Sequence, residues 1–405
     1  MTKVEAGPFG ERKEISRFEW MLLHGGFVAT GVVTTILGPI LPLLSTHWSL
    51  NDRQAGLLFT AQFLGSLVGA LCTGFLVPRR GFVFVIRTGY VFMAGGVGLF
   101  GIGPWVAGLF AIFCMGLGLG FTIPATNLYI SHVAGKRPAG ALSLLNFAWG
   151  IGSVVCPFLV ILFEPRGGVR GLGESLAVIL FSFAAGFGFV TEDVGTSDRR
   201  WASQGIGSGW RDLIGSSPAL SLAAFFFLYV GTEVALGGWI AAVAKRVYVR
   251  PDAWWVLTPS AFWGGLLLGR AVAPRVLRYL EENKLVYAGL TLAVLGMAVV
   301  LLSSNRGGIR IGGGLAGFGL APIYPVLVSW LTRARSIDVA RSGGLFFACA
   351  GIGGAVLPWL VGALSAKTGS LHLALSCTLA SSVLMLLLVR GARPGTNIQE
   401  EEGRQ

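Results

Sequence analysis

Glu233 and Arg270 carry the chemistry that is hardest to place in this chain. Both lie inside long apolar runs, at 218–244 and 256–279. Read as helices rising 1.5 Å per residue, these runs place Glu233 roughly 22 Å along the first and Arg270 at a depth only ~6 Å different. A charged side chain in hydrocarbon costs at least ~2.5–3.5 kcal/mol, so it faces a cavity or a partner. Glu233 can therefore accept hydroxyl hydrogens from a polar solute, carry a proton, or pair with Arg270. Arg270 can pair with it, act in gating, or snorkel along its aliphatic stem to the nearer surface.

Uncharged polar groups recur in other apolar runs: Gln62, Asn127 and Asn146, with Thr30 and Thr34 one turn apart. An amide offers both donors and acceptors, which is what a neutral polyol requires. Bonding between helices accounts for the same residues equally well.

Other chemistries lack their constellations. His24, His47, His132 and His372 stand apart from Asp, Cys or Glu at ligand spacing, so no metal site is expected. The five cysteines, Cys72, Cys114, Cys156, Cys349 and Cys377, lie in apolar runs without a Cys-x-x-Cys and read as small buried hydrophobes. There is no phosphate-binding glycine loop and no nucleophile–base pair, so neither an ATP-driven pump nor an enzyme is expected, and no cofactor beyond a coupling proton.

The elements that must position these residues follow from composition. Of 405 residues 54% are hydrophobic and only 12% charged, against roughly 25% charged in soluble domains. Lipid is the solvent that tolerates this. A spanning helix needs roughly 20 apolar residues, and such runs occur at 19–44, 54–77, 82–101, 105–131, 139–163, 175–191, 218–244, 256–279, 285–303, 309–332, 342–366 and 371–390. The expected fold is all-α, with twelve transmembrane helices. Barrel strands would be shorter and alternating. Gly237-Gly238 and the prolines Pro39, Pro124, Pro322 and Pro325 mark places where these helices can bend.

The net charge of +12 sits in short clusters between the runs, the pattern of loops facing an anionic leaflet rather than of nucleic-acid binding. Most of the 31 lysines and arginines fall on one side if both termini are cytoplasmic. The stretch before 19 is polar and reads as a cytoplasmic tail rather than a signal peptide. The expected organisation is a tail at 1–18, a six-helix bundle at 19–191, a charged cytoplasmic loop at 192–217, a second bundle at 218–390 and a tail at 391–405.

A shift of about 200 residues lays one half over the other, as in duplicated transporter folds. Gly150-Ile151-Gly152, Val155 and Pro157 fall over Gly351-Ile352-Gly353, Val356 and Pro358, while Gly65, Leu67 and Gly69 fall over Gly265, Leu267 and Gly269.

With this repeat in place the chain resembles the major facilitator superfamily. The segment Gly74-Phe75-Leu76-Val77-Pro78-Arg79-Arg80-Gly81, followed by Arg87, is similar to that superfamily's Gly-x-x-x-Asp-Arg-x-Gly-x-x-x-Arg, with Pro78 where an Asp is usual. The seventh run, Tyr229-Val230-Gly231-Thr232-Glu233 through Gly237-Gly238-Trp239, resembles the fucose and glucose/galactose porter branch, and Phe262-Trp263-Gly264-Gly265 through Gly269-Arg270 is similar to the same branch.

The resemblance implies alternating access by two bundles in a bacterial inner membrane, a monosaccharide or similar small solute as the partner, and a monomer. It implies gating by Arg79, Arg80, Arg87, Arg270, Gly237 and Gly238. It adds Tyr229, Trp239, Trp263 and Tyr324 to the substrate set, their rings offering faces for a pyranose. Proton-coupled members often carry carboxylates in the first or fourth spans; here those spans are read as having none. A uniporter, or a proton-coupled exporter of amphipathic compounds, stays open.

Overall fold

The computed structural model describes residues 16–134, 138–191, 217–247, 253–333 and 339–392. The regular structure in them is helical. In chain order the helices are α1 Arg17–Thr35, α2 Leu37–His47, α3 Asp52–Arg80, α4 Phe82–Gly98, α5 Trp105–Ala134, α6 Pro138–Gly186, α7 Ser217–Val247, α8 Thr258–Val276, α9 Glu282–Leu302, α10 Arg306–Leu320, α11 Ile323–Arg333, α12 Val339–Thr368 and α13 Leu371–Ala392.

Local sequence sets where these helices begin. Asn51 Oδ1 accepts from Gln54 N at 2.9 Å while Gln54 Oε1 accepts from Asn51 N at 3.1 Å, a reciprocal capping box that starts α3. Ser16 caps α1 through Glu19 N, and Asn305 caps α10 through Gly308 N.

Bends fall at some of the expected residues and not at others. The first run breaks at Ile36 and turns by 45° into α2, whose first turn holds Pro39. The tenth breaks at Pro322, between α10 and α11. Pro124, by contrast, lies inside the unbroken α5, and Pro325 inside α11. At Gly237-Gly238 α7 runs on as one helix from Ser217 to Val247, and aromatic rings pack against it there. A Cβ on Gly237 would lie 2.8 Å from the Trp263 ring and 3.0 Å from Phe262, and one on Gly238 would lie 2.6 Å from Phe59. These glycines admit neighbouring rings. The fifth and sixth runs join within α6, where Gly168 takes φ 60°, ψ −152°, a conformation open to glycine, and the helix kinks.

Among the described residues ten helical segments are long and apolar enough to cross a membrane, the bent α1–α2 pair adds an eleventh, and α4, an apolar helix of 17 residues, occupies the third run. Large apolar side chains are fully presented on these helices: Phe110, Val178, Leu302 and Leu387 are each at least 65% exposed. Exposed apolar surface on this scale belongs against lipid.

By packing, the described chain divides into two units, residues 1–37 with 64–203, and residues 38–63 with 204–405. In the first unit α1 crosses α6 so closely that a Cβ on Gly31 would lie 2.0 Å from the Trp149 carbonyl oxygen, and one on Gly152 2.0 Å from that of Val28. In the second unit α7 meets α12 the same way: a Cβ on Gly353 would lie 2.0 Å from the Phe227 carbonyl oxygen, and one on Gly231 2.8 Å from that of Gly353. Gly65 against Phe113 of α5 and Gly265 against Gly314 of α10 form another such pair. The glycines that match in sequence therefore make matching backbone contacts, so the repeat is one of architecture.

Candidate functional site

In the second unit, α7 turns three faces to three partners. Gly231 packs on α12, and Thr232 Oγ1 donates to Ser381 Oγ of α13 at 2.8 Å. Tyr229 and Glu233, four residues apart, share the remaining face. There Arg270 of α8 reaches Glu233, Nη2 to Oε2 at 3.6 Å, with 26% and 12% of the side chains exposed. The pair is an ion pair outside hydrogen-bonding distance. Pairing opposite charges is what makes either tolerable at this depth.

Two phenols complete the group. Tyr229 and Tyr324 lie within electrostatic reach of both charges, and their ring centroids are 5.8 Å apart at 31°. The Tyr229 hydroxyl is buried beside both charges, within hydrogen-bonding reach of Glu233 and Arg270. Donor, acceptor, hydroxyl and ring face thus stand together on α7, α8 and α11.

The same unit corrects one expected contact. Trp239 is 1% exposed and its Nε1 donates to the Pro358 carbonyl at 2.8 Å, tying α7 to α12. It is a structural strut, not a presented ring. Trp263 stands edge-on to Phe262, with centroids 5.0 Å apart, against Gly237. Gln62 is buried in this unit.

In the first unit the expected amides meet. Asn146 Nδ2 of α6 lies 3.4 Å from Asn127 Oδ1 of α5 and also donates to the Leu142 carbonyl at 2.8 Å. One turn on, Trp149 Nε1 donates to Thr34 Oγ1 of α1 at 3.3 Å. A polar strip thus links α1, α5 and α6. Thr30 does not join it: its hydroxyl donates to the Gly26 carbonyl at 2.9 Å and lies 3.5 Å from Tyr90 Oη, fully buried. The sequence reading missed Trp149, whose signal was its position three residues beyond Asn146.

It also missed two carboxylates. The first run was read as having none, yet Glu19 opens it, is 3% exposed and accepts a bond from the Tyr129 hydroxyl of α5. Glu282, at the start of α9, accepts from Trp330 Nε1 at 3.0 Å and from Arg333. Both lie at run ends, where a carboxylate looks like a solvated loop residue.

Three of the four arginines assigned to gating, all but Arg270, sit about the α3–α4 turn. Arg79, Arg80 and Arg87 are exposed; Arg79 donates to the Phe75 carbonyl at 2.7 Å, and Arg80 lies 5.5 Å over the Phe84 ring.

Comparison with known proteins places this architecture. The profile described as Major Facilitator Superfamily matches residues 23–334. Sodium-dependent glucose transporter 1 of Homo sapiens is 22% identical, with 95% of this chain and 81% of that protein covered. The glucose/galactose transporter of Brucella abortus is 24% identical, covering 86% of this chain and 87% of its own length. Among solved structures, the E. coli fucose:proton symporter FucP superposes with a TM-score of 0.63 at 16% identity, covering 94% of this chain and all of FucP. With its duplicated helical repeat, its lipid-facing apolar surface and a profile match over most of its length, the chain is a multi-pass membrane protein that belongs to the major facilitator superfamily.

Proposed function

We propose that this protein carries a monosaccharide or similar small polar solute across a bacterial inner membrane by alternating access, with Glu233 as the residue that binds the solute, carries a proton, or does both. The observation that supports it is the Glu233–Arg270 pair at 3.6 Å, with the buried Tyr229 hydroxyl beside it. A pair held just beyond hydrogen-bonding distance can admit a sugar hydroxyl, which accepts from the guanidinium and donates to the carboxylate. The Tyr324 ring, part-buried, offers the apolar face. The three proteins compared above are sugar transporters by name, one sodium-dependent and one a proton symporter.

The test is uptake into proteoliposomes under imposed proton or sodium gradients, with glucose, galactose and fucose as first substrates. Glu233→Gln keeps the shape and removes the charge. If Glu233 carries the proton, concentrative uptake disappears while exchange of labelled for unlabelled sugar persists. If it binds sugar only, both weaken, since a charge-assisted hydrogen bond contributes about 1.5–3 kcal/mol. Full concentrative uptake by the variant would remove Glu233 from the mechanism.

A further inference from the structure

The second unit includes a stretch that sequence order assigns to the other half. Residues 38–63, which cover α2 and the opening of α3, pack with residues 204–405. What fastens them is a polar cluster at the helix ends. Arg246, in the last turn of α7, gives both terminal nitrogens to Asp52, Nη1 to Oδ2 at 2.9 Å and Nη2 to Oδ1. Ser365 of α12 donates to the same Oδ2. Eight residues deeper on α3, or about 12 Å, Thr60 Oγ1 donates to the Ala355 carbonyl at 2.9 Å. Between these points α3 and α12 touch by backbone: a Cβ on Gly362 would lie 2.2 Å from the Asp52 carbonyl oxygen, and one on Gly56 2.9 Å from Trp359 Cα.

Three features distinguish this cluster from ordinary packing. Asp52 is held in place before it pairs, because the Asn51–Gln54 capping box fixes the first turn of α3. Its geometry with Arg246 is bidentate, the most directional form of the pair. And the cluster is part wet, with 46% of the Arg246 side chain and 18% of the Asp52 side chain exposed. Separating a fully buried ion pair strands charges in a dry interior. Separating this one returns both charges to water at the end of the helices, so the contact can open and re-form at modest cost.

We propose that Asp52, Arg246 and Ser365 form a releasable latch that holds residues 38–63 to the C-terminal half of the chain and must open in each transport cycle. The charge distribution assigns this end of the helices to the outer face. The proposal rests on the alternating-access reading above, and its test does not need the substrate to be known.

The experiment uses the full chain, with its five native cysteines replaced and a reporter introduced as Ala61→Cys, on α3 behind the latch. A membrane-impermeant maleimide is added from the outer face and the rate of labelling is followed. Asp52→Asn and Arg246→Gln should each accelerate labelling roughly fivefold or more, a modest factor suited to a part-exposed pair. The charge swap Asp52→Arg with Arg246→Asp should return the rate towards that of the parent, which a general loosening of the fold would not do.

Ser365→Ala, a mild change that keeps the ion pair, should accelerate labelling by a smaller factor and serves if the charge variants fail to purify as single species. In a second arm, Asp52→Cys with Ser365→Cys, oxidised to a disulfide, should stop sugar exchange, and reduction should restore it. Unchanged labelling in Asp52→Asn, Arg246→Gln and Ser365→Ala overturns the latch, as does full exchange by the oxidised pair. A chain that moved none of the sugars would still report on the latch through labelling, so the two proposals fail separately.

Discussion

Glu233 and Arg270 were adjacent in expectation because helix rise is fixed: two residues at similar depth on consecutive runs can meet. The structure brings them together at 3.6 Å. Their partners were not all legible. Tyr229 follows from Glu233 by helical periodicity, but Trp239, on the same helix and equally aromatic, is bonded to a carbonyl 119 residues away, and nothing local to either tryptophan or carbonyl announces that pairing. Removing one member of a buried ion pair costs about 3–5 kcal/mol because the other is left uncompensated. At 12–26% side-chain exposure the figure here is on the order of 1–3 kcal/mol after allowing for solvent screening. Arg270→Gln and Glu233→Gln should each lower the melting temperature of purified protein, and the double variant should recover part of the loss. Additive losses would show that the two charges do not support each other and that each is held by something else.

At the scale of helices, glycine was the ambiguous letter. Gly237-Gly238 reads as a place to bend, yet it lies within a continuous helix, while α6 kinks at Gly167-Gly168, a pair outside the expected bends. The difference lies in what surrounds them: no atom comes within 4 Å of a Cβ built on Gly168, whereas Phe262, Trp263 and Phe59 fill the space at Gly237-Gly238. Neighbours brought together by tertiary packing do not show in a local window of sequence, but the repeat does show them indirectly. Gly152 and Gly353 match in sequence and both press on a carbonyl of the crossing helix, at 2.0 Å for a built Cβ. Gly353→Ala should therefore destabilise by about 1–3 kcal/mol, as overpacking does where backbone cannot yield. Gly264→Ala, in α8 with nothing within 4 Å of its Cβ, should be neutral or raise stability by about 0.5–1 kcal/mol through helix propensity. Melting curves of the two variants in one detergent make the comparison. Equal effects would mean that the glycine crossings are packing filler rather than the joints of the repeat.

At the scale of the whole molecule, the spans and their duplication were open to reading because hydrophobic length and glycine spacing are carried in the linear sequence. The assignment of residues 38–63 to the second unit was not: it depends on which contacts form at the helix ends, and Asp52, Arg246 and Ser365 are far apart in the chain. Orientation rests on charge alone. With twelve spans the charged stretch 192–217 and most of the basic clusters share the face of the termini, and positive-inside charge makes that face cytoplasmic; reporter fusions test this in two separable ways. On the twelve-span reading, a fusion at Gly168, where α6 kinks, follows five crossings, and one at the C-terminus follows twelve. Parity therefore puts these two reporters on opposite faces whichever way the protein is inserted, and a fusion after Arg200, six crossings in, shares the face of the C-terminus. Positive-inside charge then selects which face is which: the fusions after Arg200 and at the C-terminus should make an active cytoplasmic reporter, such as a fluorescent protein, and the fusion at Gly168 an active external one, such as alkaline phosphatase. All three reversed would overturn the orientation, and with it the assignment of the Asp52 end to the outer face, while leaving the span count intact. Gly168 and the C-terminus on one face would instead overturn the count and the six-plus-six division built on it.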